Sequence, residues 1–192
     1  MPYFKKSENN ECFGANDYRG VGGPLNVSFL RSPSPINQAF IKACNEQGIP
    51  SNPDYNGAKQ YGVSPGQVTQ KNGERWNAAR AYVDPHRHQP NLSVVSNAHA
   101  TQIIFEGKRA VGVRYTCQGQ DHEVRARKEV IVSSGAFGSP QLLVLSGVGP
   151  ALHLQDLGIP LVHELPGVGQ NLQDHVTTVL IYKTQKIDEA MG

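Results

Sequence analysis

The feature that most restricts the fold is a short apolar run that leads through a glycine turn into a helix. Val130-Ile131-Val132 is apolar on both faces, the pattern of a strand buried inside a parallel sheet. It runs into Ser133-Ser134-Gly135-Ala136 and then a helix predicted to begin at Ser139-Pro140. Leu142, Leu143 and Leu145 give that helix its apolar side, and Gly147 ends it. A buried strand ending in Ser134-Gly135-Ala136 lies at the carboxyl edge of a sheet, where open α/β folds bind nucleotides. Gly135 has no Cβ, so a ligand can approach its backbone. Taken by themselves, these three residues are better read as a plain strand-to-helix turn.

Upstream, the period is that of strands. Val94-Val95 begins a run that continues through Ile103-Ile104-Phe105, and Gly107-Lys108 breaks it. Val111, Val113 and Tyr115 then alternate with Gly112 and Arg114. Gln118-Gly119-Gln120 turns the chain into Glu123-Val124-Arg125-Ala126, which completes a three-stranded antiparallel meander with one polar face. Residues 1–33 read as loop-rich, and residues 49–75 as turns. Between them a helix is predicted, with Ser34 as cap, Pro35 at its first position and Gly48 at its end. Ile36, Ala39, Phe40 and Ala43 share one face of it, which predicts packing on that side. Downstream, a short helix is expected over 151–157, a short strand at Ile159-Pro160-Leu161-Val162, and a strand from Val176 to Tyr182 with no evident partner.

Composition narrows the function classes. Hydrophobic residues make up 38% of the 192 and charged residues 18%, which is globular composition. The net charge of +2 comes from interspersed signs, so nucleic-acid binding has no electrostatic footing. Cys12, Cys44 and Cys117 are scattered and odd in number, which fits a reducing compartment rather than a disulfide framework. Met1-Pro2-Tyr3-Phe4-Lys5-Lys6 has no apolar run behind it, so no signal peptide is expected. Asn26-Val27-Ser28 and Asn91-Leu92-Ser93 match the glycosylation pattern but carry little weight without secretion. No apolar stretch is long enough to span a bilayer.

One long segment changes the reading of the Ser134 turn. Gly135-Ala136-Phe137-Gly138-Ser139-Pro140-Gln141-Leu142-Leu143-Val144-Leu145-Ser146-Gly147-Val148-Gly149-Pro150 closely resembles the second signature of glucose–methanol–choline (GMC) oxidoreductases. Leu165-Pro166-Gly167-Val168-Gly169-Gln170-Asn171-Leu172-Gln173-Asp174-His175 follows at the family's spacing. Gln70-Lys71-Asn72-Gly73-Glu74-Arg75-Trp76-Asn77-Ala78-Ala79-Arg80-Ala81-Tyr82 is similar to the segment that leads into the meander, with Asn77 where the family usually has Ser. Pro2-Tyr3-Phe4-Lys5-Lys6-Ser7-Glu8 resembles a helix end that normally follows more than a hundred residues. The resemblance covers essentially the whole chain and is strongest toward the choline and aliphatic-alcohol dehydrogenase branch.

The resemblance implies an α+β protein with an α/β flavin-binding core, of which this chain is an internal fragment. The fragment would hold the meander, one central parallel-sheet strand and short helices. Residues 1–74 would be a connecting or substrate-domain segment, 75–175 part of the FAD-binding domain, and 176–192 the start of the substrate domain. The implied reaction is oxidation of a primary alcohol, choline or an aliphatic alcohol, by hydride transfer to flavin. Ala100, Ser134, Gly135 and Ala136 are the implied cofactor-binding residues, Ala100 through its backbone against the adenine. A truncated non-catalytic piece and an adenosine-nucleotide-binding module are the alternative readings. The expected location is cytoplasmic, with a membrane-peripheral one left open.

What the chain lacks matters as much. The family's Gly-x-Gly-x-x-Gly turn, whose N–H groups hold the pyrophosphate, does not occur, so this chain is not expected to retain FAD. Gly167-Val168-Gly169 and Gly147-Val148-Gly149 read as turns. The family's catalytic His lies near the far C-terminus, so no catalytic residue is assigned. Gly62-Val63-Ser64-Pro65-Gly66 matches a hydrolase elbow by letter, but Pro65 lacks the N–H an oxyanion hole needs. His86-Arg87-His88 reads as an exposed loop, and no metal site is assigned. His175 beside Asp174 has the look of a base with an orienting carboxylate. Neighbouring residues of an extended segment point to opposite faces, so a structural role is expected, with one of the two bonding to backbone in the turn at the domain junction. An apolar strand without neighbours also predicts self-association.

Overall fold

The computed structural model describes residues 1–181. It contains two compact units, Met1–Ser93 and Val94–Val179.

The first unit begins with α1 (Pro2–Ser7), β1 (Glu8–Asn10), β2 (Leu25–Phe29) and α2 (Pro35–Glu46). Three short strands follow, β3 (Gln67–Val68), β4 (Gln70–Lys71) and β5 (Glu74–Arg75). β1 pairs parallel with β2, Glu8 opposite Leu25, and β2 pairs antiparallel with β3. The expectation of loops over 1–33 and 49–75 therefore misses five strands. Their sequences are too short and polar to carry a period. Side chains hold them instead: the buried Asn26 accepts from Asn9 Nδ2 and donates to the Gln70 carbonyl, both at 2.6 Å. Asn72 and Gly73, at φ 53° and 83°, join β4 to β5 in the left-handed turn that a two-residue Asn-Gly hairpin requires.

Helix α2 forms where its punctuation places it. Gly48 has φ 84°, and the Ile49 N–H reaches back to the Cys44 carbonyl at 3.0 Å, a Schellman close. The expected packing of its apolar face differs. No residue of α2 is buried, and Ile36 and Phe40 remain about half exposed. Phe40 and Ile41 instead line an open cavity of about 440 Å³ with Leu30, Pro33, Val63 and Pro65.

The second unit contains the meander as expected: β6 (Ala98–Glu106), β7 (Arg109–Cys117) and β8 (Gln120–Arg125), in that order across the sheet. Ile103 pairs with Val113, and Val113 with Val124, so the apolar row lies on one face. Arg114, Gln102 and Glu123 line the other. After the meander come α3 (Gly135–Leu145), β9 (Val148–Gly149), α4 (Ala151–Asp156) and β10 (His163–Glu164), with β9 parallel to β10. The core of this unit is Ile103, Val111, Leu142, Val148 and Leu154.

Four expectations need correction here. Val130-Ile131-Val132 is extended but belongs to no sheet, because no strand among the described residues lies beside it. Val130 and Val132 are half-buried, whereas Ile131 is 77% exposed. The next helix starts at Gly135, not Ser139, because the Ser139 hydroxyl accepts the Ser134 N–H at 3.0 Å and closes a turn before Pro140. The strand expected at 159–162 falls at His163–Glu164, where the Val162 and His163 N–H groups both reach the Gly147 carbonyl. Residues 176–181 form no strand, and Val176 is 99% exposed; Tyr182 lies outside the described residues.

Ser146 ties α3 to the sheet. Its hydroxyl donates to the Leu142 carbonyl at 2.6 Å and accepts the buried Ile103 N–H at 2.8 Å. Ser146→Ala leaves that N–H without an acceptor, and unfolding in urea should report a loss of about 1–3 kcal/mol. An unchanged midpoint would mean that water replaces the hydroxyl.

Candidate functional site

Ser134 stands at the N-cap position of α3, without a capping bond from its side chain, and Gly135 is the first residue of the helix. Gly135 has φ 81°, a conformation that side chains with a Cβ rarely adopt. A Cβ built there meets nothing within 4 Å, so the backbone faces open space. The first N–H groups of a helix have no acceptor inside it, and the helix dipole makes that end attractive to anions. Ser134 and Gly135 thus fit the close approach of a nucleotide to main chain. Ala136 lines an open cavity of about 700 Å³ together with Phe137, Pro140, Val144, Leu157 and Leu172.

Ala100 is exposed on β6, an outer strand of the meander, opposite Tyr115. The register slips between Ala100 and Gln102, and a bulge of this kind re-aims the backbone beside it. Tyr115 stacks in turn on His122, with ring centroids 5.2 Å apart. Ala100 and the 134–136 turn therefore lie in one unit, on elements that pack together. The bond joining those elements is at the other end of α3, from Ser146 to Ile103.

Other sequence candidates have local roles. The Asp174 carboxylate accepts the N–H of the adjacent His175 at 2.7 Å, and both residues are exposed. Asn77 Oδ1 accepts the Arg80 N–H at 3.0 Å and starts the π-helical turn Ala79–Val83. His86 pairs through Nδ1 with Gln89 Nε2 at 3.0 Å. Among the described residues, no group of three or more His, Cys, Asp or Glu could hold a metal.

One cluster escaped sequence reasoning. Arg19, only 6% exposed, pairs with Asp54 through two nitrogens and with Glu8 at 3.4 Å. Glu8 also accepts the Gly20 N–H at 2.9 Å. The hydrogen bond from Arg19 holds the Asp54 carboxyl below its ordinary range and raises the guanidinium in return, while burial pushes the Cys12 thiol up. Partners 11 and 35 residues away give no sequence signal. The cluster lies within the first unit, and its chemistry is that of a clamp.

Comparison with known proteins joins these observations. The family model for GMC oxidoreductases matches residues 1–177. The chain is 47% identical over 180 residues to an alcohol dehydrogenase [acceptor] of Pseudomonas putida, covering 93% of this chain and 33% of that protein. It is 48% identical over 176 residues to the mitochondrial choline dehydrogenase of Homo sapiens, covering 92% and 30%. The fold is similar to an FAD-dependent oxidoreductase from Chaetomium thermophilum, with a TM-score of 0.81 at 33% identity over 90% of this chain and 32% of that one. The chain spans about a third of the length of the curated relatives it matches. The α+β architecture expected from sequence is that of these flavoenzymes. With the family model matched along nearly the whole described chain, this protein belongs to the GMC oxidoreductase family.

Proposed function

We propose that this chain forms part of an FAD-dependent enzyme that oxidises primary alcohols, choline or an aliphatic alcohol, by hydride transfer to flavin. The carrying observation is near-half identity, over nine-tenths of the chain, to an alcohol dehydrogenase and a choline dehydrogenase. Residues 75–175 would belong to the FAD-binding domain, with 1–74 connecting to the substrate domain and 176–192 entering it. When bound, FAD supplies the electron acceptor; the protein orients it. In this reading, the main chain at Ser134, Gly135 and Ala136 accommodates the nucleotide end, which the open space beside Gly135 supports. The Ala100 backbone on the outer edge of β6 pairs with the adenine. No catalytic role is assigned within the chain, and His175 keeps a structural one. No helix among the described residues is long and apolar enough to cross a membrane. The scattered, odd set of cysteines supports a reducing compartment, and the proposed location is the cytoplasm, with a membrane-peripheral one as the alternative.

The test is a chimera in which this chain replaces the matched third of the Pseudomonas putida relative. It should purify with flavin absorbance and oxidise alcohols with an artificial acceptor. A folded chimera free of flavin overturns the proposal. The chain alone should purify colourless, because no Gly-x-Gly-x-x-Gly turn occurs in it to hold the pyrophosphate. A stoichiometric yellow band would show that 134–136 and Ala100 suffice.

A further inference from the structure

We propose that the small polar cavity between the β4–β5 hairpin and the end of β2 is a binding site for inorganic phosphate, held by Arg31 and Lys71 and told apart from sulfate by Glu11. Alcohol oxidation on flavin does not require such a site, and phosphate binding is measured without flavin.

The cavity lies in the first unit and has a volume of about 160 Å³, with Glu11, Ser28, Arg31, Lys71, Asn72 and Gly73 in its lining. At ~30 Å³ per water that is room for about five waters, enough for a tetrahedral oxyanion and far too little for a nucleotide. Three segments close around it. The Glu11 N–H bonds to the Val27 carbonyl at 2.9 Å, which sets Glu11 beside β2. The Ser28 hydroxyl donates to the Gln70 carbonyl at 3.3 Å, which ties β2 to β4. A Cβ at Gly73 would lie 3.4 Å from Arg31 Nη1, so the guanidinium sits at the hairpin turn. Lys71 Nζ lies over the Trp76 ring, 5.1 Å from its centroid.

Among the described residues, no ion pair or hydrogen bond engages the side-chain charges of Arg31, Lys71 or Glu11. The N–H groups of Asn72 and Gly73, at the turn, donate no backbone hydrogen bond either. Two cations and two free N–H groups around a cavity of this size fit a small oxyanion. Glu11 decides which one. A carboxylate only accepts, so it repels an anion that offers it no proton. Sulfate carries none at neutral pH. Hydrogen phosphate keeps one P–O–H, which donates to Glu11 while its other oxygens accept from Arg31 and Lys71. A phosphomonoester loses its second proton near about pH 6, so it also arrives without a donor. The ligand is therefore free phosphate rather than a phosphorylated metabolite or a lipid headgroup.

The test is equilibrium dialysis of the whole chain against radiolabelled phosphate at fixed ionic strength. Emission from Trp76, the one tryptophan, reports on Lys71 beside it. One phosphate per chain should bind saturably and shift that emission. Sulfate and glycerol phosphate should compete about tenfold or more weakly, the scale of a lost hydrogen bond to a charged group. Arg31→Gln should weaken phosphate by a similar factor. Glu11→Gln should abolish the preference and raise sulfate to the level of phosphate. Lys42→Gln, on the exposed side of α2, should change neither. Arg31 and Glu11 are both exposed, so their variants should melt with the parent when no ligand is present. Should Arg31→Gln melt early, Lys71→Gln makes the same test. No saturable binding, phosphate and sulfate held alike by the parent, glycerol phosphate competing as well as phosphate, or binding indifferent to both Arg31→Gln and Lys71→Gln would each overturn the proposal.

Discussion

Replacing Arg19 by alanine should destabilise the first unit by about 3 kcal/mol. Removing one partner of a buried ion pair leaves the other charge uncompensated, a loss of roughly 3–5 kcal/mol. The lower end applies because the Asp54 side chain keeps 22% of its surface in water. Arg19 joins Glu8, the first residue of β1, to Asp54, which lies 35 residues beyond Arg19, so its loss releases both segments. Hydrogen exchange should therefore quicken at Gly20 and Gly23, whose N–H groups bond to Glu8. Arg80→Ala, which removes exposed pairs to Glu74 and Asp84, should change stability by no more than about 1 kcal/mol. The pH dependence has a definite sign. The folded-state pKa of Asp54 is lowered by the Arg19 hydrogen bond. Its contribution is thus fully present above the unfolded value of about 3.9 and is lost as pH falls through the folded value. In that acid window the parent should lose stability with falling pH more steeply than Arg19→Ala. Equal slopes would mean that Asp54 is not held by Arg19 in solution.

The sequence was readable where local chemistry is sufficient. The meander announces itself through the alternation of Val111, Val113 and Tyr115 and through glycines at its turns. Helix α2 is delimited by Pro35 and by Gly48 with its positive φ. Burial was not readable in the same way, since it depends on neighbours. Val130-Ile131-Val132 has the composition of a central strand and Ile131 faces water, because composition specifies what a segment needs and not what lies beside it. The strands of the first unit were invisible for the opposite reason. Glu8-Asn9-Asn10 has no apolar period, and its place is fixed by amide side chains such as Asn26 that pair over 17 and 44 residues. In the candidate site, the turn at Ser134-Gly135-Ala136 was legible, but the reason for its glycine was not. Absence of a Cβ was expected to admit a ligand; the positive φ of Gly135 is a backbone requirement that holds with or without one.

Gly147→Ala should be among the most damaging single-methyl changes in the second unit. Gly147 follows the end of α3 with φ 83°, and its N–H bonds to the Val144 carbonyl at 3.0 Å. Its own carbonyl accepts from Val162 at 2.8 Å and His163 at 3.1 Å, which draws the chain before β10 against it. An added Cβ would lie 2.4 Å from the Pro160 carbonyl oxygen and 2.9 Å from Val162 Cγ2. The left-handed backbone costs an L-residue about 1–2 kcal/mol. Overpacking adds about 1–3 kcal/mol, and here the obstacle is main chain that cannot rotate away. Together they predict a loss of about 2–5 kcal/mol. Gly158→Ala separates the two effects, because Gly158 has φ 67° but nothing within 4 Å of its Cβ position. It should lose only the backbone part, about 1–2 kcal/mol. Urea unfolding of both variants, followed by the protection of the Val162 and His163 amides, decides the matter. Equal losses would mean that the 160–163 segment moves aside at no cost, and that Gly147 is set by its dihedral alone rather than by the strand packed against it.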